Sequence, residues 1–377
     1  MLARPRASLV KVVAPLLLLL SSFAPPARAQ PIGGWTPTTS YPIQVAGTAC
    51  SVVGSNVYCV GGFDENQNSY NDVYYAPINE TGIGAWEMGA QYPTAVDSAS
   101  CVSSGSAIYC VGGEDGQQVL DNVYYAQVTT GSTDLGQWTS GATYPQATAA
   151  LSCVVYAGYV YCVGGFNSND ADVSATYYAP LGSPGVDSWS STTPYPKALD
   201  GDSCVASAGY IFCFGGGPVQ GGGNPTNYVY YAQLTSSGIG KWNAGPTYPA
   251  PLAALSCVPY SGYVYCTGGF DATGLSTAAS YYAAISPSGV GSWTSTTPYP
   301  VVIDTSSCVV SESQVYCIAG VNGISGNPPN VNYAYFASLG GSPTTTTPEF
   351  PAGAAVPAML AVLLGAGALV RRRDARA

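Results

Sequence analysis

The chain has 377 residues, among them 46 glycines, 29 prolines, 30 tyrosines and no histidine, and only 8% are charged, against about 25% in an ordinary soluble domain. Residues 30–349 hold two basic side chains, Lys197 and Lys241, against nineteen acids, a net charge of −17, and such a surface excludes nucleic acid as a partner. The lack of histidine also excludes Ser-His-Asp and Cys-His catalysts and His-ligated zinc or copper.

At the N-terminus, Arg4, Arg6 and Lys11 precede an apolar run from Val12 to Leu20, and Ala27-Arg28-Ala29 follows. This order predicts a secretory signal peptide over residues 1–29, cut before Gln30, with Pro15, Pro25 and Pro26 interrupting any anchor helix. Export implies an oxidising compartment.

From residue 30 to 341 one unit repeats. Tyr-Pro recurs at Tyr41, Tyr92, Tyr144, Tyr195, Tyr248 and Tyr299, in steps of 51 to 53. Each copy continues with two cysteine-bearing strands, a variable loop, a Tyr-Tyr strand and a tryptophan. Gly61-Gly62, Gly112-Gly113, Gly164-Gly165, Gly215-Gly216 and Gly268-Gly269 close the second cysteine strand, and Ala319-Gly320 replaces the pair in the sixth copy. Glycine pairs at a period near fifty resemble kelch repeats, and the resemblance implies an all-β propeller of six blades. It covers about 300 residues. The chain departs from the family in its eleven-residue step from Tyr75 to Trp86, in lacking basic residues in the first strand, and in carrying two cysteines per blade. The six tryptophans are Trp35, Trp86, Trp138, Trp189, Trp242 and Trp293; Trp35 precedes the first copy and the sixth copy lacks one of its own. The N-terminal strand is therefore expected to complete the last blade and close the ring.

The twelve cysteines form six pairs nine residues apart: Cys50 and Cys59, Cys101 and Cys110, Cys153 and Cys162, Cys204 and Cys213, Cys257 and Cys266, Cys308 and Cys317. Counting out from a two-residue turn at each midpoint places both cysteines at a non-hydrogen-bonded position, where Cα atoms lie about 4.5 Å apart, within disulfide range. All twelve are expected to bridge within their own blades.

No catalyst emerges from this composition. Kelch-like copper oxidases need two histidine ligands and sialidases a cluster of arginines, and residues 30–349 supply neither. The carboxylate pairs Asp64/Glu65, Glu114/Asp115, Asp170/Asp172 and Asp200/Asp202 read as solvated loop groups, and the Tyr-Tyr pairs as packing between blades. No cofactor is expected. Calcium has a weak foothold in Asp64-x-Asn66-x-Asn68, although Ser69 and Tyr75 stand where a calcium loop has Gly and Glu.

The loops between the glycine pair and the Tyr-Tyr strand vary, from eleven residues after Gly113 to fourteen after Gly216. They share one rim and present Asp64, Glu65, Asn66, Asn68, Glu114, Asp115, Asn167, Asp170, Asp172, Asp271 and Asn322, with further polar residues at 221–224 and 322–327. That chemistry suits a neutral or cationic partner and repels an anionic one. The expected function is a monomeric, non-enzymatic surface module binding an extracellular protein or glycan. A polysaccharide-acting enzyme and a structural envelope component are the alternatives. Asn79-Glu80-Thr81 is the one unblocked glycosylation sequon, since Pro225 follows Asn224.

The C-terminus runs from a Thr/Pro spacer at 342–349 into Pro348-Glu349-Phe350-Pro351, an apolar stretch from Ala352 to Val370, and Arg371-Arg372-Arg373. Nineteen such residues suffice to span a bilayer, with the arginines on the cytoplasmic side. The order resembles the PEF-type sorting signal of archaeal surface proteins, which archaeosortases are thought to replace with a lipid. The resemblance implies a propeller held outside the cell by residues 350–377 or by a lipid in their place.

Overall fold

The computed structural model describes residues 31–340 apart from 130–132, 183–184, 219–222 and 324–328. The signal peptide, the spacer, Pro348, Glu349, Phe350, Pro351 and the C-terminal apolar stretch lie outside the described residues, as do parts of the fourth and sixth loops. The described residues form an all-β propeller of six blades, each an antiparallel sheet running outward from the central axis.

The first blade shows the plan. Its inner strand, Ala49–Val53, pairs with Asn56–Val60, then Val73–Asn79, then the short outer strand Glu87–Met88. Valine, tyrosine and cysteine dominate these segments, residues that suit a strand packed on both sides. The two-residue turns tighten as the chain needs. In blades three to five both turn residues have positive φ (Ala157 and Gly158, Ala208 and Gly209, Ser261 and Gly262), the mark of a hairpin turn matched to strand twist.

In the sixth blade the inner strands Ser307–Ser311, Gln314–Val321 and Asn330–Ser338 are completed by Thr36–Pro37 from the other end of the chain, with Thr36 opposite Phe336 and Pro37 opposite Tyr335. Trp35 packs edge-on against Tyr299, 4.9 Å between centroids, and Tyr299 against Tyr335. The ring closes as the tryptophan count requires.

Six apolar clusters fill the six junctions between blades; one joins Val57 and Cys59 of blade one to Val309, Tyr316 and Ile318 of blade six. Tyrosine does two jobs there. The Tyr-Pro tyrosines are wedged edge-on against a tryptophan and the first of each Tyr-Tyr pair, as Tyr41 is by Trp86 and Tyr74. The second of each pair stacks on the second strand, as Tyr75 does on Tyr58, and Tyr58 donates its hydroxyl proton to Thr133 O in the next blade at 2.6 Å.

Two sets of backbone hydrogen bonds stitch every blade to its neighbour. The second glycine of each pair donates its N–H to the next blade, from Gly62 to Val96 O through to Gly320 to Val45 O. The first glycine of the pair lies so close to that carbonyl that a Cβ on Gly61 would collide with Val96 O, and Ala319 alone takes the position, in blade six. Nearer the axis, Ser98, Ala150, Gly201, Ala254, Thr305 and Gly47 each donate N–H to the preceding member of the set, Gly47 accepting from Ser98 and donating to Thr305, so that the bonds close a circle. All six residues have φ between 51° and 65°. This left-handed turn carries the carbonyl and the N–H tangentially around the axis.

All six cysteine pairs are bridged within their blades, with Cα separations of 4.0–4.1 Å. Beside them, Cys50, Cys153, Cys204, Cys257 and Cys308 donate backbone N–H to Ser307, Ser100, Ser152, Ser203 and Ser256 of the adjoining blade at 2.9–3.0 Å.

Candidate binding site at the mouth of the central channel

The channel divides into three spaces. The hairpin face opens as a funnel of about 640 Å³ lined by the disulfides and by valines such as Val52, Val102 and Val310. A chamber of about 230 Å³ lies between the cysteines and the circle of left-handed residues. Above the circle, on the loop face, is a mouth of about 330 Å³. The funnel is the largest of the three, but its lining repeats the same cysteine and valine positions from blade to blade. Polar groups converge in the mouth.

The mouth owes its chemistry to two positions per blade. Four residues before the inner cysteine stand Ala46, Asp97, Ala149, Asp200, Ala253 and Asp304; directly after the glycine pair stand Phe63, Glu114, Phe166, Gly217, Phe270 and Val321. The two positions pair across each blade. Blades one, three and five therefore combine alanine with phenylalanine, and blades two, four and six combine aspartate with another residue. Phe63, Phe166, Phe270, Asp97, Asp200 and Glu114 all border the mouth; Asp304 holds the third acidic position but does not border it, whereas its neighbour Thr305 does.

These acids are not solvated. Asp97, Asp200, Asp202 and Asp304 are buried, which corrects the expectation for the Asp200/Asp202 pair. Asp97 accepts hydrogen bonds from the Ser69 and Ser98 hydroxyls at 2.6 and 2.8 Å, and Asp304 from Ser276 and Thr305. These donors are neutral. Burial raises the Asp97 and Asp304 carboxyls above their ordinary range in spite of these bonds. Glu114, half-buried, is pushed up to about 7 by desolvation first and then by the charges of Asp97, Asp170 and Asp115. Asp202 points away from the mouth, its Oδ2 3.2 Å from Cys204 Sγ, and burial holds it far above the normal carboxylate range. Both sulfurs of Cys204 and Cys213 are committed to a disulfide, so this cluster offers a metal a single carboxyl and no more.

The other loop residues do something different from what their composition suggests. Asp64 Oδ1 accepts the N–H groups of Asn66 and Asn68, and its Oδ2 accepts from Asn68 Nδ2 and the Tyr70 hydroxyl. Hydrogen bonds from Asn68 lower its pKa. Asp115, Asn167 and Asp271 close their own loops in the same way, through the N–H groups of Gln117 and Gln118, Asn169 and Ala171, and Thr273 and Leu275. All four follow the residue after the glycine pair, and their oxygens build turns. Donors thus occupy the oxygens that calcium would need at Asp64. Glu65 and Asn66 line a separate groove with Ile43 and Tyr70, away from the mouth. Asp170 lies near enough to Glu114 to act on its charge, while Asp172 and Asn322 each bury an oxygen without a hydrogen-bond partner. Asn79 accepts from Thr81 within the surface turn of the sequon.

The residues of the mouth that sequence reading passed over are Phe63, Phe166, Phe270 and Asp97. Their signal was present in the alternation of alanine with aspartate four residues before the cysteine.

No known family model matches the chain. It is 24% identical over 223 residues to human Kelch-like protein 23, covering 57% of this chain and 36% of that protein. Bovine Kelch-like protein 36 is 27% identical over 175 residues, 46% of this chain and 28% of the relative. The Kelch repeat protein M-T8 of Myxoma virus is 24% identical over 170 residues, 45% and 31% of the two chains. The matched segments span about a third of these relatives. Joined to the six observed blades, the similarity identifies the fold as a kelch-like β-propeller.

Proposed function

We propose that this chain is a cell-surface propeller that binds an extracellular partner protein through its loop face and carries out no chemistry of its own. The observation that carries this reading is the convergence of the loops on a mouth lined by carboxylates and phenyl rings and narrowed at its inner end by a hydrogen-bonded circle, while the opposite face repeats short hairpins. Similarity to kelch-repeat proteins supports a protein as the partner. The twelve oxidised cysteines suit an extracellular setting, and the sequences at 1–29 and 342–377 support export and anchoring. A glycan-cleaving enzyme is the second reading, favoured by one observation: a Glu114 carboxyl titrating near neutrality beside Asp97.

The test is a binding screen of surface proteins and glycans, repeated after residues 64–71, 114–118, 167–172 and 271–273 are exchanged for Gly-Ser turns. Loss of partner capture with the fold retained is expected. Capture that survives the exchange refutes the loop-face assignment, and glycan turnover abolished by Glu114→Gln establishes the enzyme in its place.

A further inference from the structure

Resting on the loop-face reading, we infer that the mouth of the channel receives one cationic side chain, a lysine or arginine projected by the partner protein, with its methylene stem against the phenyl rings and its charge among the carboxylates.

The argument begins with shape. The circle of backbone bonds through Gly47, Ser98, Ala150, Gly201, Ala254 and Thr305 rings the inner end of the mouth, so a ligand entering from the loop side meets this constriction before the chamber beyond. A volume of about 330 Å³ suits one extended side chain and its solvent better than a folded segment. The wall then supplies two chemistries in alternation. Phe63, Phe166 and Phe270 come from blades one, three and five, and the Phe63 ring lies over Gly47, where a Cβ would come within 3.1 Å of it. Asp97, Asp200 and Glu114 come from the blades between. An aliphatic stem ending in a positive group matches both: apolar surface is buried on the rings, whose faces attract a cation, and the charge meets acids.

Charge decides the occupant. Among the described residues no basic side chain borders the mouth, and Lys197 and Lys241 are the only two in residues 30–349; Lys197 is engaged over the Tyr228 ring, 5.9 Å from its centroid. The donors holding Asp97 are serine hydroxyls. A buried carboxylate held by neutral hydroxyls, as Asp97 is, is costly to keep ionised, and a cationic group entering the mouth would offset that cost. An apolar side chain would cover the rings and leave the acids as they are, and an anionic one would be repelled.

The probe is a nonapeptide of glycine and serine with one central lysine, titrated into the full chain and followed by ligand-observed NMR at low salt. Matched peptides carry norleucine or glutamate at the centre. The lysine peptide should bind about tenfold more tightly than the norleucine peptide, with the preference shrinking as salt rises, and the glutamate peptide should not bind. Asp97→Asn and Asp200→Asn should each lower lysine affinity several-fold, and Phe166→Leu should weaken the lysine and norleucine peptides together. Glu65→Gln removes the same charge from the separate groove and should change little. Affinity should also fall as pH drops through about 7, where Glu114, facing Asp97, Asp115 and Asp170, takes up its proton. The peptide comparison requires no variant, so it decides even if a substitution impairs folding.

Equal binding of lysine and norleucine peptides, no lysine binding at millimolar peptide, or an equal effect of Glu65→Gln and Asp97→Asn would each overturn the inference. A neutral oligosaccharide that displaces the lysine peptide from the mouth would assign the site to glycans. If the lysine peptide fails while loop exchange still abolishes partner capture, the mouth assignment falls and the loop-face reading stands.

Discussion

The serine that precedes the inner cysteine in five blades should contribute measurably to holding the ring together. Each inner cysteine sits opposite its partner at the non-hydrogen-bonded register, so its N–H points away from its own hairpin and toward the neighbouring blade. Ser307, Ser100, Ser152, Ser203 and Ser256 meet that N–H. In blade one the position is Ala49, which has no hydroxyl to offer Cys101. Ser152→Ala strands the N–H of Cys204, a buried residue, at a cost of about 1–2 kcal/mol, whereas Ala49→Ser adds a bond worth about 0.5–1 kcal/mol. A domain of this size unfolds with an entropy of about 0.65 kcal/mol/K, so 1 kcal/mol moves Tm by about 1.5 °C. Calorimetry under non-reducing conditions should therefore show a fall of about 1.5–3 °C for Ser152→Ala and a rise of about 1 °C for Ala49→Ser, with exposed Ser191→Ala as a control near zero. If Ser152→Ala matches the control, or if Ala49→Ser destabilises, the serines do not join the blades and the reasoning fails.

Glu114 is raised from its ordinary 4.5 to about 7, so between those values the folded chain holds a proton that the unfolded chain has lost. Stability must then decline as pH rises through that window, and thermal melts at pH 5 and 8 should show a smaller difference in Glu114→Gln. Tyr92 buries a hydroxyl that has no hydrogen-bond partner; Tyr92→Phe should leave stability unchanged or raise it by up to about 1 kcal/mol, and a loss beyond 1 kcal/mol by denaturant titration would count against that reading. Trp35→Ala removes the edge-on contact with Tyr299 and the indole bond to Thr297 O; it should cost about 2–3 kcal/mol for this half-buried ring and speed proteolysis at residues 31–38 before any other site.

Much of this fold is legible along the chain because its determinants are local or repeated. The nine-residue spacing of each cysteine pair fixes a hairpin and places both cysteines on one side of it, since side chains alternate with period two. The unmatched Trp35 and the incomplete sixth copy are complementary, so ring closure could be counted from the letters. The role of Asp64 was less accessible: the residues that suggest a calcium loop are the same that build a turn, and only the direction of the Asn66 and Asn68 amides distinguishes them. The mouth was the least legible part. Phe63, Asp97, Phe166, Asp200 and Phe270 are spread over more than 200 residues of chain, and within its own blade each is simply a residue at the end of a strand. They become a site because six blades arranged around one axis bring equivalent positions to a common centre, where the left-handed circle of Gly47, Ser98, Ala150, Gly201, Ala254 and Thr305 rings the space beneath them. Periodicity in the sequence sets what each blade contributes; the radial convergence that buries those contributions together exists only once the ring has closed.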